Sequence, residues 1–182
     1  MKSPNDLLSD ARDRLTQAIR EFEAPPSSNH AKEFHELRAQ AAVFNYDVSY
    51  DIVALWKNAP TGFAEKVALK GLVQKIFEYD LAMKNHLVRR LLALAKARKV
   101  EITIDEIKVE RAKWKLELAR LASWSEVRNR ATAHYHYEIP EQLRLLSELD
   151  RDEVMDVVKA FLSYNIFVLR ALARVGKGEP DA

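Results

Sequence analysis

Cysteine is missing from the 182 residues, and glycine occurs only four times and proline six. The missing cysteine excludes a disulfide framework, a thiolate zinc site and a cysteine nucleophile, and it fits a reducing cytosol. So few glycines and prolines leave little turn punctuation, which points to a few long elements, and long elements in globular chains are helices. Charge of one sign is not in excess either. The balance is 29 basic against 27 acidic residues, net +2, too even for a protein that coats a nucleic-acid backbone. No apolar run reaches transmembrane length, and Met1-Lys2-Ser3-Pro4-Asn5-Asp6 has no apolar core of the kind a signal peptide needs. The expectation is a soluble, cytoplasmic protein without a membrane partner, folded as one domain over residues 1–182 with a frayed tail from about 177.

What is present is helical periodicity. Leu7, Leu8, Ala11, Leu15, Ala18, Ile19 and Phe22 recur at spacings of three and four, predicting a helix from Asp6 to about Ala24. Pro25-Pro26-Ser27-Ser28-Asn29 ends it and offers caps for a second helix from about His30 to Lys57. After Asn58-Ala59-Pro60-Thr61-Gly62, a third helix runs from about Phe63 to Lys99 with a bend expected at Gly71. Val100 to Ile104 alternates as a short extended link, and Thr103 or Asp105 can cap a fourth long helix. Pro140 suits the first position of a short helix, Glu141 to Ser147, before a final helix from about Arg151 to Val175. The predicted fold is all-α, an up-and-down bundle of four long helices with a short helix before the last.

The polar residues of interest crowd into Val127-Arg128-Asn129-Arg130-Ala131-Thr132-Ala133-His134-Tyr135-His136-Tyr137. At about 100° per residue, Trp114, Leu118, Leu121, Trp124, Ala131 and Tyr135 share one broad face of the fourth helix. Arg128 falls near the middle of that face, and Glu117 interrupts it too. A guanidinium cannot shed its proton to escape burial, so it needs a partner, a ligand or water. His134 lies roughly 120° from Arg128 on an ideal helix. The two meet only if the helix unwinds before Pro140 or if two protomers share the site, and both arrangements are open.

Arg128-Asn129-Arg130-Ala131-Thr132-Ala133-His134 resembles the signature of the HEPN superfamily, an arginine and a polar residue followed by a histidine across a short gap, here five residues. The form with a basic third residue and an alanine before the histidine is most similar to abortive-infection-type HEPN proteins. It is less similar to the toxins of nucleotidyltransferase-paired systems, in which a tyrosine follows the histidine by two; His136 stands there in this chain. The resemblance implies a metal-independent endoribonuclease that uses the RNA 2′-hydroxyl as nucleophile and leaves a cyclic phosphate, in a toxin–antitoxin or antiphage-defence role. It implies a homodimer that brings two motifs into one cleft, an RNA substrate, no cofactor, and an antitoxin or defence-operon partner. His134 would serve as general acid or base, Arg128 would hold the scissile phosphate, and Asn129 would orient the histidine or donate to a phosphate oxygen. A competing reading keeps the same groove but makes it a non-catalytic module for a nucleotide, an RNA or a protein partner. A third makes the helix face a simple dimerising scaffold.

Other candidates carry less. Asp47 and Asp51, flanked by Tyr46 and Tyr50, share a ridge and read as a solvated face or an interhelical salt bridge, since no histidine stands at matching spacing. Leu87 to Lys99 is strongly basic, either a phosphate track or a helix end that complements the macrodipole. Glu33, His35 and Glu36 do not form a zinc-binding pattern, and His30 and His86 read as structural. Glu78 and Asp80 are accessory acids only if the fold carries them to the motif. No phosphate-cradling glycine loop, nucleophile elbow or dinucleotide fingerprint occurs, which argues against ATP hydrolysis, serine hydrolysis and hydride transfer.

Overall fold

The computed structural model describes residues 4–132 and 139–177, with the backbone alone at 4 and 130–132. Among these residues there is no strand. Eight α-helices and two π-helical turns follow one another: α1 (Pro4–Glu23), α2 (Asn29–Asn58), α3 (Phe63–Ala82), π1 (Met83–Leu87), α4 (Val88–Ala97), α5 (Ile104–Ala112), α6 (Lys115–Ser123), π2 (Val127–Thr132), α7 (Ile139–Ser147) and α8 (Arg151–Gly176). None of the described helices is long and apolar enough to cross a membrane.

Helix starts follow local chemistry. The Ser28 hydroxyl accepts from the Ala31 amide, the Thr103 hydroxyl from Glu106, and the Asp150 carboxylate from Asp152 and Glu153, each satisfying amides that a first turn leaves open. Between α2 and α3 the chain passes Gly62 at φ +58°, a left-handed conformation that glycine adopts at least cost.

The core forms where α2, α3 and α8 meet. Leu69, Leu72, Val73 and Ile76 of α3 are buried against Val48 and Leu55 of α2 and Val154, Val157, Val158 and Phe161 of α8. Phe44 and Tyr79 stack at 3.8 Å between centroids, and Phe161 meets both rings edge-on. Side chains of that size each contribute about 2–3 kcal/mol by leaving water. Helix α1 lies along α2, with Ala11 and Ala18 buried at the contact, small enough to let the two backbones approach.

Two expectations about long helices change. The third predicted helix is not one uninterrupted α-helix, although Gly71 itself lies inside α3. Its irregularity is π1, where the Val88 amide donates to the Met83 carbonyl, one residue further back than an α-helix allows. The fourth predicted helix is not one helix. Trp114 (φ −109°, ψ 26°) and Trp124 (φ −87°, ψ 16°) leave helical geometry and divide it into α5, α6 and π2. A straight rod can follow only one neighbour, whereas α5 and α6 pack on α8 and π2 packs on α3 and α7. The breaks let each piece bury its own anchor, Ile107, then Leu121, then Trp124 and Val127. Lys177 caps α8; the remainder of the predicted frayed tail, 178–182, lies outside the described residues.

Candidate functional site

Val127, between Arg128 and the buried Trp124, is itself buried and fixes the start of π2 against α3. With that anchor inward, Arg128 emerges along the seam between π2 and α3. Its side chain is 32% exposed, so neither the core nor bulk solvent holds it. Among the described residues, Glu78, Asn129 and Phe77 all meet the guanidinium. Nε and Nη2 both donate to Oε1 of Glu78, at 2.8 and 2.6 Å. Nη1 donates to Oδ1 of Asn129 at 2.8 Å. The guanidinium carbon also lies 5.9 Å from the centre of the Phe77 ring, within cation–π range.

Arg128 thus lies at a contact between helices, but on a short π-helical piece rather than on the continuous helix expected from sequence, and Glu78 is a partner for its charge there. Asn129 is exposed, and accepting through Oδ1 turns its amide N–H₂ edge away from the guanidinium. His134, with Tyr135, His136 and Tyr137, lies outside the described residues, so its distance to Arg128 is not part of this geometry. The structure brings together Arg128, Asn129 and Glu78.

Asp80, the other acid of α3, goes elsewhere. Its carboxylate is buried, takes Nη2 of Arg111 at 2.6 Å and Nζ of Lys84 at 2.6 Å, and so ties α3 to α5. Arg111 lies over the Tyr164 ring, 5.6 Å from its centre. Burial pushes the Tyr164 phenol above its ordinary pKa, with Arg111 working against that rise. Asp80 is a tie between helices and does not approach the motif.

The weaker candidates resolve in the same direction. Lys75 of α3 bridges Asp47 and Asp51 at 2.8 Å each, an interhelical salt bridge. In the basic stretch, Arg90 donates to both Glu33 oxygens at 2.5 and 3.0 Å and reaches Glu36 at 3.0 Å, while Arg98 donates to the Val175 carbonyl at 3.3 Å. Two of its arginines thus pin α4 to α2 and α8, which argues against a continuous phosphate track. Among the described residues, no three carboxylate or imidazole side chains converge where they could share a metal ion.

One feature is hard to read from sequence. A groove of about 940 Å³ opens between α1, α2, α3, π1 and the start of α4, and Glu78 forms part of its wall. Its apolar surface includes Ile19, Phe22, Val43 and Ala82, and Gln40, Gln74 and His86 stand among them. The available signal was the apolar excess: Phe22 is 44% and Val43 48% exposed, apolar positions beyond what the core uses. Compared with family models, with curated proteins and with solved structures, the chain has no match.

Proposed function

We propose that the seam between π2 and α3 is the phosphate-binding half of an endoribonuclease site of the HEPN type. The observation that carries this reading is the posture of Arg128. Its guanidinium is held by a carboxylate, an amide and a ring at a half-exposed surface, oriented before any ligand arrives. A site of that kind stabilises charge on phosphate oxygens without reorganising when the charge develops.

In this reading a general base removes the proton of the RNA 2′-hydroxyl and O2′ attacks phosphorus. The bond to O5′ breaks, a general acid protonates the leaving oxygen, and a cyclic phosphate remains. Arg128 pairs with the non-bridging oxygens, replacing its contact to Glu78 in whole or part. Asn129 keeps the guanidinium in plane or donates through its amide, and His134 is the acid or base. Two copies of the motif facing each other across a homodimer would supply both proton carriers from one sequence. The whole chain is read as one up-and-down bundle of its long helices that presents this seam, in a cytoplasmic toxin or defence protein with an antitoxin or operon partner.

A second reading has its own support. The carboxylate on Arg128 competes with a phosphate for the same N–H groups, as suits a site that binds and releases an anionic partner without chemistry. RNA cleavage with EDTA present separates the two. Wild type should cut, and Arg128→Ala and His134→Ala should each lose about 10²–10³-fold, the usual cost of removing one stabilising donor or proton carrier. Equal activity in all three proteins would sink the catalytic reading. Retained RNA binding with no cleavage in wild type would favour the binding module.

A further inference from the structure

The groove beside Arg128 has no part in that scheme as it stands. Resting on the RNA reading, we infer that it is a nucleobase subsite, which receives the unpaired base next to the phosphate held by Arg128. Continuity places it there. The Glu78 carboxylate that orients the guanidinium also lines the groove, so an anion on Arg128 and an occupant of the groove are immediate neighbours.

Charge decides which part of the strand enters. The two strong cations of the groove are already engaged, Lys75 by Asp47 and Asp51 and Arg90 by Glu33 and Glu36. A cation that holds two carboxylates offers little to a further anion, so the sugar–phosphate backbone stays at Arg128. An uncharged base meets no such obstacle. The walls suit it: the exposed ring of Phe22 and the side chain of Val43 give apolar faces, and the amides of Gln40 and Gln74 can donate and accept along a base edge. Recognition of unstacked bases by an aromatic face and polar edge contacts is the usual mode for single-stranded RNA.

Calorimetric titration of the full chain at low salt tests this with ribose 5-phosphate, adenosine 5′-monophosphate and uridine 5′-monophosphate. At least one nucleotide should bind about tenfold more tightly than ribose 5-phosphate, the gain expected from seating one base. Ala82→Phe fills the groove one helical turn from Glu78 and should reduce that gain to under about twofold, leaving ribose 5-phosphate unchanged. Gln74→Ala, a milder change at a partly exposed position, should remove about a third to a half of it, measured in free energy. Arg128→Ala should weaken all three probes alike. If nucleotides and ribose 5-phosphate bind equally in wild type, through Arg128, the subsite is overturned while the phosphate reading stands. If no probe binds, or binding ignores Arg128, both fall. If Ala82→Phe leaves the nucleotide gain intact but changes the oligomeric state in sedimentation, the groove is a protein interface and the subsite is overturned.

Discussion

Glu78 and Asp80 stand two residues apart on α3, each paired with an arginine from later in the chain, and the two pairs do opposite work. Asp80 is buried, its side chain 8% exposed, and it is saturated by Arg111 and Lys84. Glu78 is 50% exposed and holds Arg128 at the surface. Tyr79, between them, turns into the core and donates its hydroxyl to Oδ1 of the fully buried Asn165 at 2.8 Å. A step of about 100° per residue sends three neighbours to three environments. The same chemistry, arginine on carboxylate, is a firmer tie where the carboxylate is buried and a more exchangeable contact where it is half exposed. That difference is why the proposed anion site is put at Arg128 rather than at Arg111.

The contrast is broken most severely from the buried side. Asp80→Ala leaves Arg111 without its carboxylate in a site only partly open to water, and should cost about 3 kcal/mol. For a chain of this size that lowers Tm by roughly 10 °C, measurable by thermal unfolding followed by circular dichroism. A loss below about 1 kcal/mol would mean that the pair is no tighter than a surface contact, and the distinction would fail. Tyr79→Phe comes next. It removes one hydroxyl and strands the Asn165 carbonyl oxygen in the core, costing about 1–2 kcal/mol in urea denaturation. Because burial raises the Tyr79 pKa, the phenol is neutral throughout the accessible range, and this loss should not change between pH 6 and 9.

The helices themselves were legible. Apolar periodicity placed α2 and α8 within a residue or two, because a 3.6-residue repeat and, for α2, the capping Ser28 before it are local signals. The breaks were not legible. π1 carries no glycine or proline, and the departures at Trp114 and Trp124 answer to which neighbour each piece packs on, a tertiary fact. The motif showed that Arg128 needs a partner on the interface, but the partner stands fifty residues earlier in sequence. Glu78 and Asp80 are equally acidic and equally helical on paper, so only the packing of π2 on α3 and the reach of Arg111 from α5 separate them. The groove is faint for the same reason: its lining comes from α1, α2, α3, π1 and α4, and the apolar surplus at Phe22 and Val43 does not say which elements meet there.

From the exposed side the contrast predicts smaller effects. Glu78→Gln should move stability by no more than about 1 kcal/mol, since both partners reach solvent. It should tighten phosphate or RNA binding several-fold at low salt, because an anion no longer shares the guanidinium. The gain should shrink as salt rises past about 0.15 M. Unchanged affinity at every salt concentration would mean that Glu78 does not compete for Arg128.

A last effect, read as a change with pH, lies at Glu33, whose carboxylate is more exposed than that of Asp80 and less than that of Glu78. Hydrogen bonding from Arg90 holds the Glu33 carboxyl below its ordinary value of 4.5, against an opposing push from partial burial. A folded-state pKa below the unfolded one means that the native state binds fewer protons on the acid side, so stability must fall as pH drops. The contribution is complete above about 4.5 and is lost as pH falls through the lowered folded value. Glu33→Gln should therefore lie below wild type by a constant margin near neutrality, and the two stability curves should converge under acid conditions. Urea midpoints taken from pH 7 down to pH 3 test this. Parallel curves would place the cost in lost packing instead, and would leave the contact of Arg90 with the Glu33 carboxylate without a share in holding α4 on α2.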